Sequence, residues 1–124
     1  MIDALEDLVT VLGRLEGLQG RVYRRWPKKK AVMPCCLISR ISATPTFTDA
    51  DGGEVIATLT YSIDINAVTP DEADAIASRV IDALAQYNFH RTGDMDFYDD
   101  QLRASRRILT FMGTVDKRGN TFTQ

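Results

Sequence analysis

The sequence predicts an α+β domain: a mostly antiparallel sheet of about four strands, with two α-helices packed on one face, in the order α-β-β-β-α-β. Three observations predict it. Residues 54–67 alternate strictly, with Val55, Ala57, Leu59, Tyr61, Ile63, Ile65 and Ala67 on one face and Thr58, Thr60, Ser62, Asp64 and Asn66 on the other. Period two is the spacing of a half-buried strand. Two other stretches, 3–16 and 70–87, repeat their apolar residues at helical spacing. Between strand patterns lies Asp49-Ala50-Asp51-Gly52-Gly53-Glu54, the composition of a β-hairpin tip.

The first helix is expected over 3–16, where Leu5, Leu8, Val9, Leu12 and Leu15 make one stripe. Asp3 is its candidate N-cap, with Glu6 three residues on, and Gly17 and Gly20 close it. Arg21-Val22-Tyr23-Arg24-Arg25-Trp26 forms a short strand, which Pro27 and three lysines break. Pro34 leads into a second strand, 35–47. Its first half is apolar on both faces, as in a sheet interior, and Pro45 in the second half places that part on an edge.

After the alternating strand, Thr69-Pro70-Asp71-Glu72 starts the second helix with a capping box and proline at the first helical position. Ala73, Ile76, Ala77, Val80, Leu84 and Tyr87 form its buried stripe. Residues 88–103 read as a loop, with a helical turn near 98–102. A last strand spans 105–116, with Leu109, Phe111, Gly113 and Val115 sharing a face. The chain is thus one domain over 1–116, and a polar tail from 117 to 124 is expected to fray.

At 124 residues the chain is long enough to bury a single core without staples. Its apolar content of 44% and charged content of 26% are those of an ordinary globular domain. No apolar run approaches the ~20 residues of a membrane span, and no basic stretch followed by an apolar run marks a secretory leader. Synthesis in the cytosol is expected. Cys35 and Cys36 are adjacent, so on a strand they point to opposite faces and an ordinary disulfide between them is geometrically poor. They read as small buried hydrophobes.

Catalytic chemistry is poorly supplied, and no enzyme activity or cofactor is expected. The one histidine, His90, has no evident orienting partner or nucleophile. Asp49-x-Asp51-Gly52-x-Glu54 lacks the spacing of a calcium loop. Asp94, Asp96, Asp99 and Asp100 form an acidic run without a histidine nearby, which reads as a solvated or partner-facing loop rather than a magnesium site, and no glycine-rich phosphate loop precedes a helix. Net charge is −2, yet Arg21, Arg24, Arg25, Lys28, Lys29 and Lys30 make a basic stretch around Trp26. Solvent, an acidic protein surface and nucleic acid are the three readings of that stretch; the overall acidity weighs against the last.

The assembled pattern resembles the tail terminator (tail completion, head-to-tail joining) proteins of long-tailed bacteriophages and prophages. The matching stretches are Val22-Tyr23, Pro34-Cys35-Cys36-Leu37-Ile38, Tyr61-Ser62-Ile63-Asp64-Ile65-Asn66-Ala67 and Arg107-Ile108-Leu109-Thr110-Phe111-Met112-Gly113-Thr114-Val115-Asp116. The resemblance implies a structural virion protein assembled as a ring, typically a hexamer. Such a ring caps the tail tube and gives the head–tail connector protein a docking surface. DNA passes through its channel without specific binding. The place of action is the tail or neck of the virion, after assembly in the host cytoplasm, with no membrane involved. The alternatives are another connector component such as a stopper, a small nucleic-acid-binding module using Arg21 to Lys30, and a small enzyme whose site the sequence hides. Steep salt-dependent DNA binding marks the nucleic-acid module, and ring formation without DNA affinity marks the structural one.

A ring places the candidate interface. The hairpin arm, extended by Thr44-Pro45-Thr46-Phe47-Thr48 and tipped by Asp49 and Asp51, is long for a small monomer, and its edges need pairing. Opposed basic and acidic segments suit a head-to-tail contact. The expected contact joins Arg24, Arg25 and Lys28 of one copy to Asp96, Asp99 or Asp100 of the next.

Overall fold

A computed structural model describes residues 2–27, 32–48 and 54–122, and the side chains of Phe47, Glu54 and Val55 lie outside that description. The elements are α1 (Leu5–Gly13), β1 (Val22–Tyr23), β2 (Cys35–Thr48), β3 (Glu54–Ala67), α2 (Pro70–Gln86), β4 (His90–Asp99), β5 (Ala104–Asp116) and β6 (Thr121–Phe122). They form an α+β fold with one mixed six-stranded sheet of order β1-β2-β3-β5-β4, β6 pairing with β5 off that path. Four long strands, β2, β3, β5 and β4, are antiparallel neighbours throughout, while β1 runs parallel to β2.

The alternating strand sits at the centre of the sheet. Ala57, Leu59, Tyr61, Ile63, Ile65 and Ala67 are all fully buried, and they align with the inward residues of β5, including Leu109, Phe111 and Val115. Leu8 and Leu12 of α1 and Ile76, Ala77, Val80 and Leu84 of α2 join the same core cluster. Both helices therefore cover one face. The other face carries Thr58, Thr60, Ser62, Thr110, Met112 and Thr114, all partly exposed.

Burying Tyr61 requires partners for its hydroxyl. The hydroxyl donates to Asp3 Oδ1 at 2.5 Å and accepts from the Ala4 N–H at 2.9 Å, which ties the start of α1 to the central strand. Burial, reinforced by the hydrogen bond to Asp3, pushes the phenol up from its ordinary value. Burial also opposes ionisation of Asp3, but the Tyr61 and Leu5 hydrogen bonds outweigh it and hold that carboxyl below the usual range.

The second helix begins as its sequence requires. The Glu72 N–H donates to Thr69 Oγ1 at 3.2 Å, and the Glu72 carboxylate accepts from the Val68 N–H at 3.4 Å. This is a capping box shifted by one residue on its return arm. Cys35 and Cys36 are both fully buried and unbonded to each other. Burial pushes the Cys36 thiol up to about 12, with Cys35 and Asp64 adding to the rise.

Four expectations need correction. The first helix spans Leu5–Gly13, with Ala4 rather than Asp3 at the N-cap; Asp3 instead accepts from the Leu5 N–H and from Tyr61. Beyond Gly13 the chain continues in short turns, Leu15 N–H to Leu12 and Leu18 N–H to Leu15, and the positive-φ Gly17 and Gly20 bend it on either side of the buried Leu18. The 21–26 strand is only two residues long and parallel to its neighbour. The 88–103 loop is mostly β4, with only residues 100–103 forming a turn. The tail folds back, pairing Thr121–Phe122 with Thr114–Val115. The hairpin tip lies outside the described residues, and the described arm ends where Thr48 pairs with Glu54.

Candidate subunit interface

The sheet ends at β1 on one side and at β4 on the other, and among the described residues no strand pairs with either outer edge. A sheet edge presents unpaired N–H and C=O groups, so an uncovered edge is a template for another strand. On β4 nearly every residue is exposed on both faces. It also carries apolar side chains in the open, Met95 at 57%, Tyr98 at 56% and Phe97 at 41%. Leu102, in the turn after it, is exposed as well.

Besides its backbone ladder to β5, β4 is held to the domain by a pair of adjacent arginines on β5. Successive strand residues point to opposite faces, so Arg106 and Arg107 serve two different sides of the sheet. Arg107 faces the helix side. Its Nε and Nη2 grip the Asp94 carboxylate at 3.0 and 2.6 Å, and its Nη1 reaches Asp74 on α2 at 3.1 Å. Arg91 adds a bond to Asp94 at 2.9 Å. The fork of Arg107 depresses the Asp94 carboxyl, against a smaller opposing effect of burial. Two-pronged arginine–carboxylate pairs are the stronger and more directional kind.

Arg106 faces the helix-free side. It bonds Asp64 of β3 through two nitrogens and Asp99 through Nη1 at 2.9 Å. Its guanidinium lies over the Phe97 ring, 5.1 Å from the centroid. Asp99 also accepts from the Leu102 N–H at 3.0 Å, and that bond leads the causes that lower its pKa, followed by Arg106. Each arginine thus bolts the edge strand to a different layer.

These networks divide the expected interface residues. Asp99 is engaged within its own chain, whereas Asp96 and Asp100 are exposed and hold no ion pair among the described residues. Arg24 pairs with Glu6, an exposed contact, and Arg25 is exposed beside Trp26, itself 41% exposed. Phe47 is placed only by its backbone on β2, and Lys28, Asp49 and Asp51 lie outside the described residues. The structure sets the basic and acidic groups at opposite edges of one sheet, Arg21, Arg24 and Arg25 flanking β1 and Asp94, Asp96, Asp99 and Asp100 on or after β4.

Arg106 and Arg107, and the exposed Met95, Phe97 and Tyr98, were not anticipated from sequence. A signal for β4 exists in Asp94-Met95-Asp96-Phe97, which alternates with period two, but a strand without a buried face gives little more than that.

Clefts on the described surface are small or open. One of about 170 Å³ is lined by Pro70, Asp74, Phe97, Arg106 and Arg107 among others, below the ~300–1,000 Å³ of ordinary ligand sites. A wider one is lined by Asp74, Asp94, Asp96 and Arg107. Among the described residues no group of three or more His, Cys, Asp or Glu is placed to hold a metal ion, and no helix is long and apolar enough to cross a membrane. No protein-family model matches this chain, and no curated protein matches it.

Proposed function

We propose that the chain is a structural virion protein of the tail terminator type, a ring that caps the tail tube of a long-tailed phage and offers a surface to the head–tail connector. The observation that carries this reading is a sheet whose two outer edges pair with no strand among the described residues, one edge basic and the other acidic. A contact between unlike edges is heterologous, and heterologous contacts close into rings when the rotation closes. The stretches that carry the family resemblance fall on β1, β2, β3 and β5, that is, on the basic edge and the strands between it and β4. On this reading the protein works without catalysis or cofactor, with its own copies, the tube protein and the connector as partners, and DNA passes through the channel without specific binding.

The test is the solution mass by light scattering on a sizing column across a concentration series, with negative-stain images of the same fractions. The expected result is a discrete multimer of about six chains seen as rings, with no DNA affinity. A monomer that binds DNA with a steep salt dependence, about one unit of slope per phosphate neutralised, overturns it in favour of a nucleic-acid-binding module.

A further inference from the structure

Resting on the ring reading, we propose that the seam between copies is β-strand addition: β4 of one copy docks antiparallel on the β1 edge of the next, with Asp96 meeting Arg24. The occupant of each edge is a second copy of this chain.

Strand direction comes first. β1 is parallel to β2, and the sequence β2, β3, β5, β4 reverses direction at every step. β4 therefore runs opposite to β1. A rotation about an axis roughly along the strands preserves strand direction, so the neighbour's β1 arrives antiparallel to β4. The sheet can continue across the seam with the more stable ladder type.

Register is the second observation. One row across the sheet reads Val22, Cys36, Ile65, Arg107, Asp96, and the next reads Tyr23, Leu37, Asp64, Ile108, Met95. The two open edges lie at the same height. A closed ring has no rise from copy to copy, so Val22–Tyr23 of one copy meets Met95–Asp96 of the next, to within the stagger that strand tilt introduces. Arg24, two residues beyond Val22, then lies on the same side as Asp96, at diagonal distance.

Charge selects this pairing over the symmetric ones. Two β4 edges related by a two-fold axis would set Asp94, Asp96, Asp99 and Asp100 against their own copies, and like charges placed opposite each other are destabilising. Two β1 edges would do the same with Arg21, Arg24 and Arg25. Unlike edges match. Within the acidic set, Asp94 and Asp99 already hold Arg107 and Arg106, which leaves Asp96, the diagonal neighbour of Arg24 in this register, for the next copy. The Arg24–Glu6 pair is exposed and weak enough to be exchanged. Met95, Phe97, Tyr98 and Trp26 supply the exposed aromatic and thioether surface characteristic of an interface core.

The experiment is disulfide trapping in the full chain, whose own Cys35 and Cys36 are fully buried. Tyr23→Cys is combined with Met95→Cys or with Phe97→Cys, residues of the same sheet face, and oxidised at high protein concentration. The expected result is a ladder of multimers on a non-reducing gel from at least one pair, ending in a closed species. Dimers from Met95→Cys alone reveal a two-fold contact and overturn the proposal. A closed multimer by light scattering that gives no Tyr23–Met95 or Tyr23–Phe97 trap overturns this seam while leaving the ring reading intact. A chain that stays monomeric and untrapped at millimolar concentration overturns the self-docking of these edges. Charge reversal gives a second readout. R24E and D96K should each raise the assembly midpoint about threefold or more, and the two changes together should return it to within about twofold of wild type. Indifference to both reversals, or no recovery in the combination, rejects the ionic part of the contact.

Discussion

Gly113→Ala is the substitution whose cost the packing fixes most closely. Gly113 lies on β5 opposite Leu59, on the core face, with Phe89 packed directly over it. A Cβ there would stand 2.7 Å from Cδ1 and Cε1 of the ring and 2.9 Å from Cγ. Ordinary carbon contacts are ~3.5–4.0 Å, so the ring or the strand must give by about 1 Å. The ring has little room to move, because Phe89 is fully buried, edge-on to Tyr61 at 5.9 Å and stacked on Tyr87 at 6.2 Å. Overpacking of this kind costs about 1–3 kcal/mol. Restricting the unfolded chain returns about 0.4–1 kcal/mol. The expected net loss is thus about 1–2 kcal/mol, or about 4–8 °C in Tm for a domain of this size. Urea denaturation of four chains measures it: wild type, G113A, F89L and the double variant. The penalty of the methyl should shrink by about 1 kcal/mol in the F89L background, where the ring edge is gone. A neutral G113A, or an equal penalty in both backgrounds, would refute the steric account.

Three further outcomes are expected. Thr69→Ala removes the acceptor of the Glu72 N–H and should lower stability by about 1 kcal/mol in the same urea assay. The Asp94 carboxyl is held below its unfolded value by Arg107, so its contribution is present above about pH 4 and is lost as pH falls through the folded value; Asp94→Asn should flatten the acid limb of a stability–pH profile, and an unchanged acid limb would contradict the Arg107 pairing. Finally, a thiol reagent at pH 8 should leave native Cys35 and Cys36 unlabelled and modify both on unfolding; rapid labelling of the native protein would contradict their burial and the rise of the Cys36 thiol to about 12.

The sequence alone determined those elements that bury a face or carry their own start signal. The alternation over 54–67 could only be a half-buried strand, because a shift of one residue would turn seven apolar side chains to the opposite face. Thr69-Pro70-Asp71-Glu72 fixed the start of α2 through local backbone bonds that need nothing from the rest of the chain. The burial of the adjacent cysteines was legible as well, from a strand half that is apolar on both faces.

The tertiary structure decided the rest, and for one reason: edge elements bury no face of their own and so leave no period to read. β4 has an exposed residue at almost every position, and its strand character comes from pairing with β5 and from the grip of Arg106 and Arg107, whose partners Asp64, Asp74, Asp94 and Asp99 are dispersed along the sequence. β1 and β6 are two residues each, too short for any periodicity, and they exist because a longer strand beside them leaves backbone groups to satisfy. The basic and acidic segments were visible as composition. That they stand at opposite edges of one sheet, in the same rows and in opposite strand directions, is a consequence of strand order, which a linear chain does not display.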